Sequence, residues 1–80
     1  MITIGLFGIL SEYDGPRQFS VEAKTVRQAL KLMVKMGVDH DHLRGALIFL
    51  NNRPLAGTRR LSCKLEDGDE LALLSPAGGG

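Results

Sequence analysis

From the second residue of the chain, Ile2, Ile4 and Leu6 alternate with Thr3, Gly5 and Phe7, and Gly8 and Ile9 continue the run. A two-residue period rich in β-branched and aromatic side chains predicts a strand, apolar on both faces. It ends at the polar stretch from Ser11 to Pro16. Beyond Asp14-Gly15-Pro16, the segment Arg17 to Ala23 sets Phe19 and Val21 against Gln18, Ser20 and Glu22, predicting a second strand that closes a hairpin with the first.

The period then changes. From Thr25, a predicted N-cap, Val26, Ala29, Leu30, Met33 and Val34 recur at steps of three and four while Arg27, Gln28, Lys31 and Lys35 fall between them. One amphipathic helix is expected, stopping near Gly37, with its apolar stripe covering a sheet. Ala46 to Leu50 is a short apolar run bounded by Gly45 and Asn51-Asn52, too short for a helix and suited to a central strand. Asp67-Gly68 introduces a last strand, Glu70 to Leu74. The order ββαββ in 80 residues predicts an α+β fold of the β-grasp, ubiquitin-like kind: a mixed sheet of about four to five strands crossed by one main helix. Residues 1–75 form that domain. Residues 76–80 carry almost no apolar area and are expected to be a flexible glycine tail.

A chain of this length buries only about 60% of its unfolded surface, which leaves room for one core and no deep enclosed cavity. With 44% apolar and 24% charged residues, the composition is that of a soluble globular domain. Ten basic against nine acidic side chains give a net charge of +1, too little long-range field for a nucleic-acid binder. The single Cys63 makes no internal disulfide, excludes a four-cysteine iron–sulfur cluster, and is expected in a cytoplasmic protein. The opening segment lacks the basic flank of a secretion signal, and no run approaches the roughly 20 apolar residues of a membrane span.

Candidate chemistry sits at the other end, in Gly78-Gly79-Gly80. At an average usage near 7%, three glycines at a given place arise by chance on the order of 3 in 10,000 times. A terminal carboxylate is a poor electrophile until ATP converts it to an acyl adenylate, whose phosphate is a good leaving group. Glycines let the backbone thread a narrow channel, and Pro76 to Gly80 reach at most about 16 to 18 Å. Attack on the adenylate by a sulfur donor leaves a thiocarboxylate, a nucleophile that can be passed on.

The segment from Leu65-Glu66-Asp67-Gly68-Asp69-Glu70 through Leu71-Ala72-Leu73-Leu74 to Ser75-Pro76-Ala77-Gly78-Gly79-Gly80 resembles the ending of MoaD/ThiS-type sulfur carriers. The strand carrying Phe7, the Ser-Glu-Tyr-Asp-Gly turn and the helix opened by Thr25-Val26 are similar too. The resemblance implies that Gly80 is the residue adenylated and thiocarboxylated, with Gly79 the slim residue behind it. It implies that Leu74, Ser75, Pro76, Ala77 and Gly78 meet the partner's channel, and that Phe7 and Leu55 join Leu74 in an exposed docking patch. The implied partners are an E1-like adenylyltransferase or sulfurtransferase and an acceptor such as a molybdopterin synthase large subunit or a thiazole synthase. The chain itself would be a carrier, not an enzyme, with no bound cofactor or metal; the adenylate and thiocarboxylate are covalent states. Leu73 and Leu74 stand where the molybdopterin synthase small subunit often has phenylalanines, and Ser75 where it often has proline.

The same tail also fits a ubiquitin-like modifier that joins lysines through Gly80. Asp39-His40-Asp41-His42 reads as a polar linker, since adjacent loop residues do not converge on one ion. Arg53, Arg59, Arg60 and Lys64 are candidates for a basic patch facing an acidic partner. Asp67 to Glu70 lacks the length of a calcium loop and reads as a turn.

Overall fold

In the computed structural model, which describes residues 1–75, the alternation of the first strand becomes two faces. Ile2, Ile4 and Leu6 are buried, whereas Phe7 is 53% exposed. This strand, β1 (Ile2–Gly8), is followed by β2 (Gln18–Val21), α1 (Val26–Met36), α2 (His40–Arg44), β3 (Leu47–Leu50), β4 (Arg53–Leu55) and β5 (Glu70–Ser75). Two 3₁₀ turns, over Ile9–Glu12 and Arg60–Ser62, complete the set. All five strands form one sheet in the order β2-β1-β5-β3-β4. β1 and β5 run parallel and the other pairs antiparallel, so the sheet is mixed. This is the predicted β-grasp arrangement, and the hairpin of β1 and β2 forms with Ile4 opposite Phe19.

The helix begins as its cap predicts. Thr25 Oγ1 accepts from the Gln28 N–H at 3.2 Å, which satisfies one orphan donor of the first turn, and Gln28 Oε1 accepts in return from the N–H of Lys24, just outside the helix, at 2.8 Å. It ends at Gly37, whose φ of 111° lets its N–H bond back to the Met33 and Val34 carbonyls. Val26, Ala29 and Met33 are buried against Ile4, Leu6, Leu71 and Leu73. Val34, expected in that stripe, is 39% exposed instead.

Three elements differ from the sequence expectation. The polar stretch after Gly37 contains α2, capped by the Asp39 carboxylate, which accepts from the backbone N–H groups of Asp41 (2.8 Å) and His42 (3.2 Å). A five-residue helix is too short to display a period. β4 was not expected as a separate strand; Asn51 (φ 51°) and Asn52 (φ 67°) make the two-residue turn that folds it onto β3. β4 lies at the sheet edge, where Pro54 can lack an N–H without breaking the ladder. β3 is an interior strand, but the middle place belongs to β5, because its parallel pairing inserts it between β1 and β3.

No helix among the described residues is long and apolar enough to cross a membrane. Among them, too, no group of three histidine, cysteine or acidic side chains is placed to hold a metal ion.

Candidate functional site

The sheet face turned away from α1 carries the site. Register sets its composition: Phe7 on β1 pairs with Leu74 on β5, and Leu74 pairs with Leu47 on β3. Cross-strand partners point to the same face, so Phe7, Leu74 and Leu47 form one apolar row. Phe7 and Leu47 are each about half exposed, at 53% and 51%. The next rung brings Gly5, Ala72, Phe49 and Pro54 into line beneath it.

Gly5 shapes the row. A Cβ built there would stand 3.1 Å from a ring carbon of Phe7, so the ring leans back over the bare backbone of its own strand. Gly5 and Ala72 also floor a shallow depression of about 380 Å³ beside the row, with Gln18 and Glu70 among its walls. Gly5 and Ala72, small residues beside the larger Phe7, Leu74 and Leu47, give the surface relief suited to a protein partner.

β5 ends at Ser75, which pairs with Gly8 one residue past the Phe7–Leu74 rung. Gly8 has φ 65°, and a Cβ on it would lie 2.3 Å from the Ser75 carbonyl oxygen. Only glycine combines that backbone with that approach. The base of the predicted tail is therefore seated beside the apolar row.

Leu55 does not belong to this patch. It pairs with Ile48, which is 2% exposed, and packs against the core on the α1 side. Leu47 takes the place expected of it. The sequence signal was available in principle: Leu47 and Phe49 alternate with Ile48 and Leu50, but an all-apolar run does not say which set faces in. Ser75 is 8% exposed, so its side chain is packed at the tail base, not open to a partner as expected. Gly79 and Gly80, with Pro76, Ala77 and Gly78, lie outside the described residues.

The Asp67-Gly68-Asp69-Glu70 turn sits at the opposite end of β5. The Asp69 carboxylate accepts from the Glu66 N–H at 2.7 Å and from Asn51 Nδ2 at 3.0 Å. Those donors hold its pKa below the usual carboxylate range, the Glu66 backbone contributing most. The terminal ammonium of Met1 pairs with Asp67. These acids tie the start of β5 to its neighbours and are structural.

The ThiS family model matches residues 4–80, nearly the whole chain. The chain belongs to the ThiS family. Three solved structures illustrate how far the fold of this ThiS-family chain is shared. The small archaeal modifier protein 1 of Haloferax volcanii is 29% identical, with 99% of this chain and 98% of that one covered and a TM-score of 0.66. The complex of subunits 1 and 2 of molybdopterin-converting factor from Helicobacter pylori contains a chain 24% identical, covering 99% and 97%, at a TM-score of 0.72. CysO of Mycobacterium tuberculosis is 17% identical, covering 96% and 100%, at 0.78. No curated protein sequence matches the chain. The resemblance drawn from the ending to MoaD/ThiS-type carriers thus holds at the level of family and fold.

Proposed function

We propose that this ThiS-family chain is a cytoplasmic sulfur carrier whose Gly80 carboxylate is adenylated by an E1-like enzyme and converted to a thiocarboxylate. The family match through residue 80 carries the reading. The apolar row supports it. An activating enzyme has to hold the carrier while a slender tail enters its catalytic site, and Phe7, Leu74 and Leu47 offer a docking surface adjoining the tail base.

In the proposed reaction the Gly80 carboxylate attacks the α-phosphorus of ATP and pyrophosphate leaves. A sulfur nucleophile from the activating system then attacks the acyl carbon and AMP leaves; if the donor is a persulfide, a thiol of that system reductively frees the thiocarboxylate. Gly79 and Gly78 give that chemistry room, and Pro76 and Ala77 line the partner's channel. The chain binds no cofactor and supplies no catalytic group. The acceptor is an enzyme of molybdopterin or tungstopterin assembly, such as a molybdopterin synthase large subunit; a thiazole synthase is the lesser alternative.

Incubation with ATP, an activating enzyme and a sulfur source, followed by intact-mass measurement, tests the proposal. Replacement of one oxygen by sulfur is expected, and deletion of Gly80 should abolish it. Charging of the deleted form would refute the role of Gly80. The relationship to a small archaeal modifier protein at 29% identity favours a second reading, isopeptide transfer of Gly80 to lysines. Remnant Gly-Gly on target lysines in cells would support it.

A further inference from the structure

A second surface lies on the other side of the sheet, where α1, α2 and the 3₁₀ turn at Arg60–Ser62 meet. Leu30, Val34, Leu43 and Leu61 form the apolar floor of an open groove of about 260 Å³. Val34 is the residue of the helical stripe left 39% exposed by core packing. Around that floor stand Arg27, Lys31, Arg44 and Arg60, and among the described residues no carboxylate lines the groove. Four of the chain's ten basic residues are thus gathered at one site of a protein whose net charge is only +1. The patch differs from the Arg53, Arg59, Arg60 and Lys64 grouping expected from the sequence: of those, only Arg60 lines it.

The cations are not equivalent. Arg60 donates to the Ala46 carbonyl at 3.0 Å and the Arg44 carbonyl at 3.2 Å, which holds its guanidinium in place. Arg44 is partly neutralised by Asp41 at 3.2 Å. Arg27 and Lys31 make no ion pair among the described residues and stand one helical turn apart on α1. A ligand carboxylate meeting them displaces no internal partner, and a pre-positioned Arg60 lowers the ordering cost of binding.

We infer that this groove docks an acidic peptide segment of a partner protein, an aliphatic side chain seated over Leu30, Val34, Leu43 and Leu61 and flanking carboxylates on Arg27 and Lys31. The groove, at about 260 Å³, is smaller than the roughly 300–1,000 Å³ typical of small-molecule pockets, and its lining is shared between apolar side chains and cations. Apolar floor and cationic rim match a segment in which acidic and aliphatic residues alternate. Because the surface faces away from Phe7 and Leu74, a protein held there keeps the sheet face open. The inference is independent of the fate of Gly80.

Titration of the full ¹⁵N-labelled chain with a short synthetic peptide of glutamates and leucines, followed by amide shifts, tests it. Shifts confined to residues 27–34, 40–44 and 60–61 are expected, weakening with added salt. The exposed-site double variant Arg27→Glu/Lys31→Glu should weaken binding at least about tenfold, and Val34→Asp should abolish it. The same peptide with serines for leucines should not bind. Absence of binding, shifts centred on Phe7 and Leu74, or indifference to the charge reversals would overturn the inference. So would binding to phosphatidylglycerol vesicles, sensitive to the same variants, in place of the peptide.

Discussion

Gly8 and Ser75 meet so closely that a methyl group on Gly8 would stand 2.3 Å from the Ser75 carbonyl oxygen, an atom of the backbone with no rotamer to yield. The contact joins the last residues of the two parallel strands. Gly8→Ala should therefore cost more than its positive φ alone. Gly57 serves as the control, since it has φ 91° and nothing within 4 Å of a built Cβ. Gly57→Ala should lose about 1 kcal/mol and Gly8→Ala at least about twice that. Thermal unfolding resolves the difference, at about 4–8 °C per kcal/mol for a domain of this size.

The two leucine-bearing faces make opposite predictions. Phe7→Ala removes a ring that is 53% exposed and should change stability by no more than about 1 kcal/mol while weakening capture by the proposed activating enzyme. Leu55→Ala opens the core side and should cost about 1–2 kcal/mol, less than a fully buried leucine, with little effect on capture. Urea unfolding and calorimetric titration measure the two effects separately. Equal loss of capture in both variants would contradict the assignment of faces.

The Thr25 side chain caps the start of α1. Its side-chain bond to the Gln28 N–H is lost in Thr25→Ala, which should destabilise the domain by about 1 kcal/mol. Thr25→Ser should retain most of that stability. Denaturant midpoints at constant slope check both.

Acid should loosen the turn before β5. Donation from the Glu66 N–H, and then from Asn51, lowers the pKa of Asp69, and donation from the His42 and Asp41 N–H groups lowers that of Asp39. A depressed folded-state pKa stabilises above the ordinary carboxylate value and loses that contribution as pH falls through the folded one. The urea midpoint should therefore decline below about pH 4. The decline should be shallower in Asp69→Asn, whose amide does not titrate.

Local chemistry was legible in the sequence wherever one segment settles its own geometry. The alternation of Ile2, Ile4 and Leu6, the cap at Thr25, the stop at Gly37 and the turn at Asp67-Gly68 each depend on neighbours a few residues away, and all appear in the fold. Their order was enough to name the β-grasp class, and the ending enough to point to the family. The short pieces escaped because α2 and β4 have five and three residues, less than a period needs.

The sequence by itself determined which residues are apolar, where four of the strands and the main helix fall, and the glycines that make Gly80 a candidate handle. Tertiary structure alone decided that Leu47, not Leu55, stands beside Leu74 and Phe7, and that Arg27, Lys31, Arg44 and Arg60 surround one groove. The physical reason is register. A strand's side chains switch faces at every residue, so which set faces a partner is set by pairing with strands distant in the chain, and no local pattern encodes that choice when both sets are apolar.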